Sequence, residues 1–153
     1  MARLADFPPE EAEALRQLPL PEFDDTPWVS PPALSDARLS IISTAGLHRT
    51  GDPLFGGGAG DYRIIPGDID YAELAMSHVS TNFDRSGFQQ DVNVVFPLEH
   101  LRDLADQGEI GSVGNWHYSF MGATDPVRME EGARDVARLL RQDGVDVALL
   151  VPV

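Results

Sequence analysis

The chain has 153 residues, enough for one domain that buries roughly two thirds of its unfolded surface. Its 25 acidic and 11 basic residues give a formal net charge of −14, a field that repels nucleic acid and anionic membranes. There is no cysteine, which excludes disulfides, thiolate metal ligands and a cysteine nucleophile within these residues.

Residues 1–38 hold seven of the twelve prolines. The stretch MARLADFPPEEAEALRQ lacks an apolar core of signal-peptide length, and no run approaches the ~20 apolar residues of a membrane span. A cytoplasmic protein is expected. One short helix starts after Pro8 and Pro9 and ends before Pro19. The rest of this region, DDTPWVSPPALSD, reads as an extended arm. Phe23 and Trp28 would anchor it on the domain or on a second subunit, or else it is a loosely packed tail.

From Arg38 the pattern changes. RLSIISTAG is a short apolar run closed by Gly46, as in a buried strand. The glycine-rich GDPLFGGGAGD lacks the spacing and the Lys-Ser/Thr pair of a phosphate-binding loop, so it reads as a lid or a connector. YRIIP (62–66) is a second strand, and AELAMSHV (72–79) a third, although its period also allows a helix. DVNVVFP leads into LEHLRDLADQG, a helix with Leu98, Leu101, Leu104 and Ala105 on one face and Gly108 as its stop. SVGNWHYSFMG (112–122) is the fourth strand. Asp125 followed by Pro126 then opens a helix to about Gln142, with Val136, Ala137 and Leu140 inward. VDVALLVPV closes as a nearly continuous apolar strand of the kind buried on both faces of a parallel sheet. The expected architecture is an α/β single domain, residues 39–153, with a mostly parallel sheet flanked by helices, preceded by the N-terminal proline-rich arm of residues 1–38.

In open α/β sheets ligands bind beyond the carboxyl ends of the strands. His48 follows the first strand, His78 with Asp84 follows the third, and His117 with Tyr118 lies near the end of the fourth, so three histidines map to one rim. Imidazole suits proton transfer near neutral pH and also binds metals. A divalent metal at His48, His78 and His117 would need all three strand ends to converge, and no local spacing such as HExxH supports it. The bland alternative for His117 is an imidazole hydrogen-bonded within a semi-buried aromatic layer. His100 reads as surface. Asp84 and Asp91 flank RSGFQQ, where paired carboxylates can act as acid and base or Arg85 can clamp a substrate carboxylate, unless this is an ordinary solvated loop. Asn93 needs partners if buried, and a loop-pinning role would supply them. Strand alternation puts His117 and Ser119 on one face and Tyr118 and Phe120 on the other, so both rings reach one site only if the strand has begun to turn.

The segments ISTAGLHRTGDPLF, RIIPGDID, SHVSTNFDRSGFQQDVNVVFPLEHLRDLADQGEIG, HYSFMG and GVDVALLVPV together resemble the selenoprotein B family of glycine, sarcosine, betaine and D-proline reductases, from about Leu39 to Val153. The resemblance implies a B-type subunit that binds a small amine or amino-acid-like substrate and cleaves its C–N bond reductively. It uses a selenocysteine or cysteine just after a strand like VDVALLVPV, here the position following Val153. On that reading His117 is the general acid, with His78 and Asp84 also catalytic, and His48, Arg85, Asn93 and Tyr118 contact substrate. Family members work in complexes, so a partner protein or a homo-oligomer is expected. Two other classes stay open: a non-redox accessory or assembly subunit, and a metal-dependent lyase or hydrolase built on the histidine rim.

Overall fold

Apolar and β-branched residues cluster in short runs between glycine, proline and aspartate, and these runs become the strands. The computed structural model describes residues 4–19, 22, 28–81 and 84–153. Its centre is β1 (Arg38–Ser43). One edge of β1 pairs in parallel with β7 (Val147–Val151), from Leu39↔Val147 to Ser43↔Val151. The other edge is shared by β5 (Ser112–Val113), parallel at Arg38↔Ser112, and β6 (Trp116–Ser119), parallel at Ile42↔Tyr118. β3 (Arg63–Pro66) lies antiparallel beyond β6. A separate two-stranded sheet joins β2 (Leu47–Arg49) to β4 (Leu74–Met76), antiparallel with His48 opposite Ala75.

Helices cover both faces of the main sheet. On one, Leu98 and Leu101 of α3 (Leu98–Asp106) pack with Leu39, Ile41, Ile65 and Phe96. On the other, Val136 of α4 (Glu130–Gln142) packs with Tyr118 and Phe120, and Ile42 and Leu139 border them. Burying each of these large side chains contributes about 1.5–3 kcal/mol. The α/β architecture and its mostly parallel sheet are as expected. In the arm, α1 (Pro9–Arg16) begins at a proline, Trp28 is 82% exposed, so it anchors on nothing described, and Phe23 lies outside the described residues.

Five details differ from the sequence-based reading. The run 112–122 is two strands rather than one, interrupted at Gly114 and Asn115. Residues 72–79 supply a 3-10 turn (Tyr71–Glu73) and then β4, which belongs to the small sheet. Leu104 is exposed on α3. β7 is not buried on both faces: Ala148 and Leu150 are exposed, while Val147, Leu149 and Val151 pack in part against the α3-side core. The glycine-rich segment is packed down, not raised as a lid. Thr124 donates to the Ala59 carbonyl (3.0 Å), and Arg63 donates to the Pro53 and Leu54 carbonyls while stacking over Phe55.

Candidate functional site

Where β5 gives way to β6, side chains take over from the backbone ladder. His117 Nδ1 accepts the Ile41 amide at 2.9 Å, a bond that a carbonyl on the neighbouring strand would otherwise make. Ser40 donates its hydroxyl to the Trp116 carbonyl (2.7 Å). The buried Asp143 carboxylate takes the Asn115 and Trp116 amides (2.7 and 3.3 Å), the Asn115 side-chain amide (2.7 Å) and the Arg38 guanidinium (3.0 Å). Burial pushes the Asp143 pKa up, but the Arg38 hydrogen bond, the Asn115 amide and the Arg38 charge outweigh it, so the net shift is downward.

His117 is fully buried. Because Nδ1 is an acceptor, its proton sits on Nε2, which finds no hydrogen-bond partner among the described residues. Phe96 meets the imidazole at a near-perpendicular 86° with centroids 5.6 Å apart. Burial, then the Arg102 charge, lowers the His117 pKa to about 4 against a weaker opposing pull from Asp143. The ring is therefore neutral through the physiological range. Tyr118 points to the opposite sheet face, as strand alternation requires. It lines a half-open cavity of about 350 Å³ with Ile64, Trp116, Leu139 and Gln142. Burial, then Asp143 and Tyr62, pushes its pKa up to about 12. His117 and Tyr118 are thus not brought together.

The carboxyl end of the sheet is assembled differently. Ser43 and Ser119 hydroxyls accept the Ala45 and Leu47 amides (3.2 and 2.8 Å), which fixes how the chain leaves β1. Gly46 turns there with φ +67°, and a Cβ on it would stand 3.1 Å from the His78 backbone nitrogen, a conformation and a spacing that favour glycine. The Thr44 hydroxyl accepts the Val153 amide at 2.8 Å, joining residues 109 apart in the chain. Gly122 lies against both: a Cβ there would meet the Val153 carbonyl oxygen at 2.5 Å and the Thr44 carbonyl oxygen at 2.9 Å. The ends of β1 and β7 and the turn after β6 therefore converge on Val153.

Two of the three histidines lie near this edge, held by backbone. His48, in β2, donates Nδ1–H to the Arg49 carbonyl (2.9 Å), leaving a buried Nε2 without a partner among the described residues. His78 accepts the Ser80 amide on Nδ1 (3.2 Å), and burial followed by the Arg85 charge lowers its pKa. Arg85 donates to the His78 and Ser80 carbonyls. Asp84 accepts the Ser86 amide and hydroxyl (2.9 and 2.7 Å) at the start of α2 (Ser86–Gln90), and those two bonds lower its pKa. Asn93 bridges Asp91 and Glu99 and accepts from Tyr71, so it pins a loop. Among the described residues no group of three or more His, Cys, Asp or Glu side chains is disposed to hold a metal ion. His48, His78 and His117 thus do not form the metal site that the rim suggested, since His117 is tucked between strands and the other two belong to the small sheet and the segment after it. The sequence reading missed Thr44, Gly122 and Asp143, and also Tyr71, whose hydroxyl accepts the Leu98 and Glu99 amides (3.0 and 3.2 Å) at the start of α3. A threonine ending one apolar run and a glycine ending another were the available hints.

The chain matches the family model described as Glycine/sarcosine/betaine reductase selenoprotein B over residues 10–152. It is 32% identical over 120 residues to the D-proline reductase subunit gamma of Acetoanaerobium sticklandii, covering 76% of this chain and 49% of that protein. It is 28% identical over 142 residues to the sarcosine reductase complex component B subunit beta of Peptoclostridium acidaminophilum, covering 88% of this chain and 32% of the relative. The same identity over the same length holds for the glycine reductase complex component B subunit gamma of Symbiobacterium thermophilum, with 33% of that protein covered. The chain thus spans about half the length of the first relative and about a third of the other two. No solved structure matches it. With nearly its whole length matched, this chain belongs to the glycine/sarcosine/betaine reductase selenoprotein B family.

Proposed function

We propose that this chain is the substrate-binding part of a B-type amino-acid reductase component, in which the C–N bond of a small amine or amino-acid-like compound is cleaved at the carboxyl edge of the sheet. The observation that carries the reading is the convergence of β1, β7 and Gly122 on Val153, in a member of this family. A cysteine or selenocysteine following Val153 would emerge there. Its thiolate or selenolate forms a bond to the substrate carbon, the C–N bond breaks, and the amine leaves with the bonding pair and takes up a proton. His78 and His48 are the proposed proton carriers and substrate contacts, and Arg85, Asp84 and Asn93 shape the loops around them. His117, neutral and enclosed, is the proposed positioning residue of the sheet in place of a general acid, and Tyr118 serves the opposite face. Assembly with a partner subunit belongs to the same proposal, because the relatives are named as subunits of reductase components.

The test is intact mass and alkylation of the protein produced from its native gene, with D-proline, sarcosine, glycine or betaine added as protecting ligand. The expected result is a mass above 16.7 kDa and a thiol or selenol that one of these compounds shields from iodoacetamide. A mass of 16.7 kDa with nothing alkylated removes reductive cleavage and leaves the non-redox accessory reading.

A further inference from the structure

β7 is an unusual edge strand. Its five residues, Val147 to Val151, are all apolar and none is fully buried. One edge pairs with β1, and the other faces no strand among the described residues. Edge strands of soluble proteins are normally blunted by a charge, a proline within the strand or a bulge. β7 has none of these: Asp146 precedes it and Pro152 follows it. The Val151 carbonyl accepts the Thr44 amide, so strand alternation turns the backbone amides and carbonyls of Ala148 and Leu150 toward the open edge.

The exposure is also one-sided. Leu150 lies in register with Ile42, so it faces the layer of α4, yet it is 61% exposed. Val147, Leu149 and Val151, on the other face, pack in part against the α3-side core. α4 carries the chain from β6 across β1 to β7 over the Leu150 face. A further crossover in the same direction, with the right-handed sense that such connections adopt, lays its helix on that same face, beside α4 and over Ala148 and Leu150. The position after Val153, at the carboxyl end of β7, is where such a crossover departs. The relatives are longer than the segment matched, with 51% of the first outside it by difference from the 49% covered.

We propose that the open edge of β7 is the seat of a further parallel strand, delivered with a helix over Ala148 and Leu150 by polypeptide that follows Val153 in the native protein. The inference rests on edge geometry and not on the reductive chemistry: an edge that is covered in a protein with no alkylatable group would sustain it while ending the reductase reading.

The test is amide hydrogen exchange on two forms, the 153-residue chain and the full product of the native gene with cysteine in place of any selenocysteine. In the 153-residue chain the Ala148 and Leu150 amides should exchange about 100-fold faster than those of Leu149 and Val151, as open-edge groups do. In the native product all four should be protected alike. Leu150→Arg should leave melting of the 153-residue chain unchanged and lower that of the native product by about 5 °C. Ala148 and Leu150 amides that stay fast in the native product overturn the proposal, as does a native product that ends at Val153. Protection of these amides in the 153-residue chain that rises with its concentration assigns the edge to a second copy and overturns it equally.

Discussion

The break between β5 and β6 and the carboxyl edge of the same sheet both set polar side chains under backbone amides, but across different spans of chain. At the break, side chains serve the backbone: His117 takes the Ile41 amide, and Asp143 takes those of Asn115 and Trp116. At the edge Ser43, Ser119 and Thr44 do the same for the Ala45, Leu47 and Val153 amides and His78 takes the Ser80 amide, whereas His48 gives its Nδ1–H to the Arg49 carbonyl. The same residue type therefore replaces a ladder acceptor between strands in one place, as His117 does, and is tied to its own near neighbours in the other, as His48 and His78 are. A histidine at the end of an apolar strand is not by itself a catalytic signal. What distinguishes the two uses is which partner would be orphaned by its removal.

The most direct way to break the comparison is His117→Ala. It leaves the Ile41 amide buried without an acceptor and opens a cavity beside Phe96, so a loss of about 4 kcal/mol is expected in urea unfolding. His117→Asn, whose side-chain oxygen is an acceptor, should recover part of it. If His117 instead served chemistry alone, both variants would unfold like the parent.

Acid titration gives the next largest effect. The folded His117 pKa is about 4 against 6.5 for the ordinary imidazole, so as pH falls the unfolded state takes up the proton first. Stability is full above pH 6.5, declines between 6.5 and 4 by about 3 kcal/mol, and levels off below. His78, also shifted down, adds to the upper part of this window. Asp143 does not: its pKa is held below the ordinary 3.8, so its stabilisation persists above that value and is lost only as pH falls further. His117→Asn should abolish most of the slope between pH 6.5 and 4, and an unchanged slope would mean that the imidazole is not enclosed.

Much of this frame was legible in the sequence. Pro8-Pro9 marks the start of α1, Asp125-Pro126 caps a 3-10 turn (Pro126–Met129) that runs into α4, and the runs at 38–43, 63–66 and 147–151 are strands because apolar runs bounded by turn residues have few alternatives. The family was legible because several motifs recur in a fixed order. The break at Gly114 was not, since WHYSF continues the apolar pattern across it and only a lone glycine betrays the step. Nor was the open face of β7: five consecutive apolar residues look the same whether one face or two are covered. The edge itself depends on Thr44, Gly122 and Val153, which meet only after the sheet has formed, and no local pattern records a contact across 109 residues.

The smallest effect sharpens the comparison at the loops flanking the edge. α3 has no side-chain cap from Pro97, and its first amides, Leu98 and Glu99, go instead to the Tyr71 hydroxyl. That hydroxyl has one proton to give, with the Phe96 carbonyl (2.7 Å) and Asn93 Oδ1 (2.9 Å) as its acceptors. Burial raises its pKa, so it stays protonated and keeps both functions across the physiological range. Tyr71→Phe preserves the ring beside Phe96 and removes only the oxygen, as when a helix loses its N-cap, and about 1–2 kcal/mol should be lost. Exchange of the Leu98 and Glu99 amides should quicken while Ile41 and Leu149 stay protected. Equal quickening at all four positions would mean that the tyrosine supports the whole core, and the separation drawn here between loop scaffolding and sheet scaffolding would fail.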